Sequence, residues 1–302
     1  MKCYIIKIKK GKKVKVMVKN LYGVDCFIFD SKYKAEEFES YIKGKKFNNE
    51  QLEEIQDGVN QNLKVNYADP DLSAEKMEIL KNALINNIKV NVEDLNFTIK
   101  DWHKIEIQKG FNQHINLIPY ISKGLNRQSV KVVMFALAKN LKEIDNYLYS
   151  DFDSNQLYEI YNGLSEKIDV SIYAKEEFSW RKMREIRLGL KNGLDVSIYA
   201  KPEFNFLQMV QIRKGLEKGY DVSWYANPEF NYEQMNEVLL GLQNKIAVSC
   251  YSKSKFNWKQ MREIRLGLEQ NLDASSYANP EIRWDSMKRT RLLKIKKNKE
   301  KG

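Results

Sequence analysis

Histidine and cysteine are scarce, and most signatures of chemistry are missing. The 302 residues hold two histidines and three cysteines. Cys3, Cys26 and Cys250 stand too far apart for the paired spacing of a zinc site or a disulfide framework. That usage fits a reducing, cytoplasmic setting. His103 and His114 lie near Asp101, Trp102 and Glu106 but lack a further ligand at metal spacing, so they read as surface or packing residues. There is no P-loop, no dinucleotide-binding glycine pattern, no HExxH and no nucleophile elbow. These absences argue against an enzyme, and no metal or cofactor is expected. No apolar run reaches the roughly 18 residues of a membrane helix, so no membrane partner is expected either. The first twenty residues alternate apolar and basic side chains and lack the apolar core and cleavage site of a signal peptide.

Charge is present in excess and is unevenly placed. The chain carries +11 in total, with +8 in residues 1–46 and +7 in residues 283–302, which leaves −4 for residues 47–282. A nucleic-acid groove running along the middle of the chain would be basic there. Only the ends are.

Residues 1–46 read as a small basic β-rich ββ(β)α module. Cys3 to Ile8 and Val14 to Val18 alternate around Lys9, Lys10, Gly11, Lys12 and Lys13 as a hairpin does, and Val24 to Phe29 is a third apolar run. Asp30 and Ser31 can cap a helix over Lys32 to Ile42, whose Tyr33, Phe38, Tyr41 and Ile42 are spaced to close over the strands.

The rest of the chain is a repeat. Phe152, Phe178, Phe204, Phe230 and Phe256 lead copies 26 residues apart, and Ile282 leads a last fragment. A period of this size predicts a stacked architecture. Worn copies occupy residues 47–151: one led by Phe47 with a residue missing, one by Leu72, one by Phe97 with two extra residues before Gly110, and a loose one from Leu125. Five regular copies fill 152–281, and 282–302 is a basic C-terminal cap and tail. The fold expected is mainly α, an α-solenoid of about nine short helix-turn-helix repeats behind the β-rich module.

The unit from Phe204 shows why each copy starts and stops a helix. Asn205 is a good N-cap, and Gln208 three residues on completes a capping box. Asn231 with Gln234, Asn257 with Gln260 and Asp153 with Gln156 repeat the arrangement. Met209, Ile212 and Leu216 form the apolar stripe, while Gln211, Arg213, Lys214 and Glu217 are assigned to the wet side. Gly163, Gly189, Gly215, Gly241 and Gly267 sit inside the helix at a cost, for which close approach of a neighbouring helix is the expected reason. Gly193, Gly219 and Asn271 are candidate left-handed C-caps. Asp195-Val-Ser-Ile-Tyr-Ala200 and its counterparts then offer a second cap and a short helical turn, whose continuation Pro202, Pro228 and Pro280 limit.

The Gly-Leu-Asp-Val-Ser of residues 193–197 and the Gly-Tyr-Asp-Val-Ser of 219–223 resemble the helix end of an ankyrin repeat, but the period is shorter and the Thr-Pro-Leu-His opening is absent. The whole unit, Met183-Arg-Glu-Ile-Arg-Leu-Gly-Leu190 followed by Asp195-Val-Ser and Tyr199-Ala200, resembles a repeat in uncharacterised proteins carried on mobile elements of Gram-positive bacteria, over roughly residues 152–287. That resemblance implies an accessory or interaction protein of a phage, plasmid or integrated element and no particular activity.

Four sets of residues bear on function, two of them read as structural. Trp180, Phe206, Tyr232, Trp258 and Trp284 stand at one place in successive copies, and could anchor a protein partner, stack on single-stranded bases, or continue the packing between repeats. Tyr173, Tyr199, Tyr225, Tyr251 and Tyr277 read as structural, and Arg187, Arg213 and Arg265, with Arg184 and Arg262, as a salt-bridged wet face. Lys9, Lys10, Lys12 and Lys13 at one end, and Arg289, Arg291, Lys294, Lys296 and Lys297 at the other, are candidates to bind a polyanion. The reading favoured is a protein-binding scaffold, an accessory or inhibitory factor that captures another protein. Its alternative is nucleic-acid or ribonucleoprotein binding through the basic ends and the aromatic ladder.

Overall fold

A computed structural model describes residues 4–10, 13–19, 24–148 and 150–300. The chain is mainly helical, begins with a small antiparallel sheet, and divides into two compact units, 1–142 and 143–302.

In the first unit β1 (Tyr4–Lys10), β2 (Lys13–Lys19) and β3 (Val24–Phe29) form a sheet in that order. The register pairs Val14 with Phe29 and Val16 with Phe27, and directly paired residues share a face. These four side chains are buried beneath α1 (Lys32–Ile42), whose Ala35, Phe38 and Ile42 are buried in turn. The Phe38 ring centre lies 5.1 Å from those of Phe27 and Phe29. The Ser31 side chain accepts a hydrogen bond from Lys34 N at 3.2 Å and fixes the start of the helix. Tyr33, expected to close over the strands, is instead 71% exposed. It stands five residues before Phe38, about 140° round the helix from it.

Four helices longer than two turns and one shorter helix follow or accompany this module in the unit. After α1 they are α2 (Asn49–Asn60), α3 (Ala74–Ile85), α4 (Asp101–Phe111), α5 (Ile118–Ser122) and α6 (Arg127–Ala138). The second unit contains α7 (Ser154–Ser165), α8 (Trp180–Lys191), α9 (Phe206–Glu217), α10 (Tyr232–Gln243), α11 (Trp258–Leu268) and α12 (Trp284–Lys299). Within it each long helix packs on the next. The expected second helix of a copy is a single 3-10 turn, as at Val196–Ile198, where the Asp195 carboxylate accepts from Ser197 N at 3.0 Å. That bond and the Ser197 hydroxyl hold the Asp195 carboxyl below its ordinary range.

The helix ends show the repeat most plainly. Asn62, Asn87, His114, Asn140, Lys167, Gly193, Gly219, Lys245 and Asn271 all have positive φ. In each case the following residue's N–H reaches back to the carbonyl five residues earlier, from Leu63 N to Gly58 O through to Leu272 N to Gly267 O. The worn copies therefore keep the same stop as the regular ones. In the copy led by Phe97 the two extra residues fall before the helix, because Lys100 to Gly110 is the same interval as Asn205 to Gly215. Lysine is poorly suited to this conformation. Replacing Lys245, at φ 57°, by glycine should raise stability by up to about 1 kcal/mol, since strain relief outweighs the added entropy of the unfolded chain. A thermal midpoint below that of the parent would overturn this account.

The capping glutamine does more than cap. Gln208 Oε1 accepts from Asn205 N at 2.7 Å, while its Nε2 donates to the Pro228 carbonyl at 3.0 Å and the Phe230 carbonyl at 2.6 Å. Gln156, Gln234 and Gln260 do the same toward the loop that leads the next copy, and so does Gln51 in the first unit. In α8, Lys182 stands at this place and donates to the Pro202 carbonyl at 2.7 Å.

The helix glycines make room for a tyrosine of their own copy and not for a neighbouring helix. A Cβ on Gly189 would overlap the Tyr199 hydroxyl, and the same holds for Gly163, Gly215, Gly241 and Gly267 with Tyr173, Tyr225, Tyr251 and Tyr277. The Tyr199 hydroxyl donates to the Glu185 carbonyl at 3.1 Å and the Tyr173 hydroxyl to the Glu159 carbonyl at 2.9 Å. Gly58 and Tyr67 reproduce the pair in the first unit. Burial pushes these phenols well above their ordinary pKa.

Of the arginines expected on a wet face, Arg184 and Arg262 are exposed, but Arg187, Arg213 and Arg265 are buried or nearly so and bind the preceding helix. Arg187 Nε meets Glu159 Oε2 at 2.9 Å, Arg213 meets Glu185 at 2.8 Å, Arg265 meets Glu237 at 2.8 Å, and Arg291 meets Glu263 at 2.9 Å. Burial opposes the charge on Arg187, Arg213 and Arg265, but their carboxylate partners outweigh it and raise the pKa. At the corresponding places of α9 and α10 the chain carries Gln211 and Leu239, both buried. Acid and arginine are thus replaced together. Gln211, assigned to the wet side by its polarity, is inside for this reason, and its Oε1 has no hydrogen-bond partner.

Candidate interaction surface

The aromatic series occupies the first residue of α8 to α12, immediately after the cap. Tyr232 and Trp284 are each 37% exposed, and Trp180, Phe206 and Trp258 are half-buried. Burial elsewhere in the copy is already supplied by Phe204, Met209, Ile212 and Tyr225 and their counterparts. Cations lie against the rings. The Arg181 guanidinium is 4.6 Å from the Trp180 ring centre and 5.4 Å from that of Phe206, and Lys259 Nζ is 5.5 Å from Trp258 and 5.2 Å from Trp284. Each such contact is worth about 0.5 to 1 kcal/mol at an exposed site. The series is therefore a mixed aromatic and cationic edge, which the sequence did not show because Arg181 and Lys259 bridge two copies.

The basic ends are less uniform than their composition. Lys9, Lys10 and Lys13 lie in the strands beside the hairpin turn, with Lys10 paired to Lys13, and Lys12 lies outside the described residues. α12 continues as a helix to Lys299. Arg291, expected to bind a polyanion, is buried on Glu263 and is unavailable. Lys294 donates to the Asp273 carbonyl at 2.8 Å, and Lys296 pairs with Glu300 at 3.9 Å. Arg289 and Lys297 are exposed and have no ion-pair partner among the described residues.

His103 is buried, and its Nδ1 accepts from Lys100 N at 3.1 Å, closing the start of α4. Its ring lies edge-on to Trp102, and burial lowers its pKa. His114 serves as a left-handed helix stop. Among the described residues no three His, Cys, Asp or Glu side chains come together as a metal site, and no helix is long and apolar enough to cross a membrane.

One feature went unnoticed in the sequence. A groove of about 370 Å³ lies along α3 and α4, with Ile79, Ile105, Ile107 and Phe111 in its wall and the Lys104 to Glu78 ion pair, 2.6 Å, beside it. Ile79 and Gln108, which line it, stand where other copies carry the acid and the cation. That paired loss was the available signal.

Compared with known proteins, the chain matches no family model, no curated protein and no solved structure.

Proposed function

We propose that the chain is a solenoid scaffold without catalytic activity, which captures a protein partner along the aromatic and cationic edge of its regular copies. The observation that carries this reading is the partial exposure of Trp180, Phe206, Tyr232, Trp258 and Trp284 at one register, although the core is filled by other residues. Rigid aromatic side chains with neighbouring arginine are the usual anchors of protein interfaces. The likeness of the unit to repeats on mobile elements supports a role as an accessory or inhibitory factor of a phage or integrated element in the cytoplasm. Nucleic-acid binding by the basic ends is the second reading. It is favoured by Arg289 and Lys297, which are exposed without an ion-pair partner among the described residues.

Crosslinking and pull-down from the native host, with the parent chain and a Trp180→Ala, Trp258→Ala variant, tests the proposal. A protein retained by the parent and lost from the variant is the expected result. Equal retention by both removes the edge from the site, and loss of capture on nuclease treatment transfers the reading to nucleic acid.

A further inference from the structure

The second unit carries apolar side chains at an outer place of its helices, where the fold leaves them half-buried or exposed. In α8 the core residues are Met183 and Ile186, both fully buried. Arg184 and Leu188 flank Ile186 by two residues on either side, about 160° round the helix from it. A helix that packs on one side is ordinarily polar there. Yet leucine recurs at this outer place as Leu188, Leu240, Leu266 and Leu292, in four of the five helices from α8 to α12. The first three are half-buried and Leu292 is 48% exposed.

Each leucine continues a ridge that starts at the aromatic series. Trp180, Arg184 and Leu188 stand four residues apart on α8, and Trp258, Arg262 and Leu266 repeat them on α11. Trp284, Lys288 and Leu292 do so on α12. Residues at this interval are neighbours on a helix surface. With helices packed about 8 to 10 Å apart, the ridges of α8 and α11 lie roughly 27 Å from each other. Arg184, Arg262 and Lys288 are exposed and have no ion-pair or hydrogen-bond partner among the described residues. Neither α8 nor α11 has an acidic residue in its first turn, and Asp285 in the first turn of α12 pairs with Arg283.

We propose that this outer surface binds an acidic, amphipathic segment of a partner protein. Its apolar side chains seat on Leu188, Leu240 and Leu266, and its carboxylates meet Arg184, Arg262 and Lys288. This rests on the reading of the chain as a protein-binding scaffold and supplies the chemistry of the partner. Phosphate gains nothing from the leucines, and the faces of four of the rings, on which bases would stack, are already approached by Arg181 and Lys259. Those features favour a carboxylate-bearing peptide over a nucleic acid.

The test uses the full chain and three fluorescein-labelled probes followed by anisotropy. They are a peptide with Glu and Leu at helical spacing, its Gln counterpart, and an oligothymidylate of matched charge. The Glu peptide should bind, and Arg184→Glu with Arg262→Glu should weaken it by about tenfold or more, the Gln peptide losing a similar factor against the parent. Arg184→Gln with Arg262→Gln, which disturbs the surface less, should shift binding in the same direction by a smaller factor. The inference is overturned if the Glu peptide does not bind saturably, if the Gln peptide binds as well, or if charge reversal changes nothing. It is also overturned if the oligothymidylate binds more tightly and is lost in the same variants. Any of these outcomes leaves tryptophan-dependent capture of a host protein as a separate result, so the two proposals fail independently.

Discussion

Arg265→Leu should lower the stability of the chain by about 3 to 5 kcal/mol in urea unfolding, because it strands the buried Glu237 carboxylate against α11. The same change combined with Glu237→Gln should restore most of the loss. The reason lies in the chain itself, which places Gln211 and Leu239 at the equivalent positions of α9 and α10 and packs them there without a charge. A buried ion pair replaced as a pair is often close to neutral, whereas a pair broken on one side leaves an uncompensated charge. If the double variant is as unstable as Arg265→Leu alone, then the arginine acts through its packing or through Glu269, its second partner, and the pairwise account is wrong.

Gly189→Ala should cost about 2 to 4 kcal/mol, although alanine is the better helix former. The added methyl meets the Tyr199 hydroxyl and, at 2.8 Å, Cγ1 of Val196. Tyr199→Phe alone gives up one hydrogen bond to the Glu185 carbonyl and should cost about 1 kcal/mol. Together the two changes should cost less than their sum, because phenylalanine removes the atom that the methyl strikes first. Strict additivity would show that the glycine answers to something other than the tyrosine.

Much of the fold was legible because it is written over short intervals. Asn205 with Gln208, or Ser31 before Lys32 to Ile42, needs only three residues to state a helix start, and both formed as expected. The relations that were misread span longer intervals. Arg187 looked like a surface residue because its acid, Glu159, lies 28 residues earlier in another copy. The correlated change to Gln211 and Leu239 was visible in the chain but gains meaning only once the positions face each other. The glycine and its tyrosine keep a constant interval of ten residues in every regular copy, yet spacing alone could not say which side of the helix the ring would reach. In the candidate surface, the aromatic series was readable as a period. Its cations and the leucines beyond them were not, since a lone Arg184 or Leu188 is unremarkable until the helix shows that both face away from the core.

The glutamine struts and the buried arginines tie each copy to both of its neighbours. Gln208 is satisfied by carbonyls of the copy after it, and Glu237 by the arginine of the helix after it. A copy in the second unit is thus completed from both sides, its glutamine and its acid by the successor and its arginine by the predecessor. Removing a copy from the N-terminal side leaves the next copy's arginine without its acid, and removing one from the C-terminal side leaves a glutamine amide and a carboxylate without their partners. The helix start itself is closed within the copy, as Asn205 and Gln208 show, and during synthesis only the glutamine's amide donors and the acid wait for the next copy.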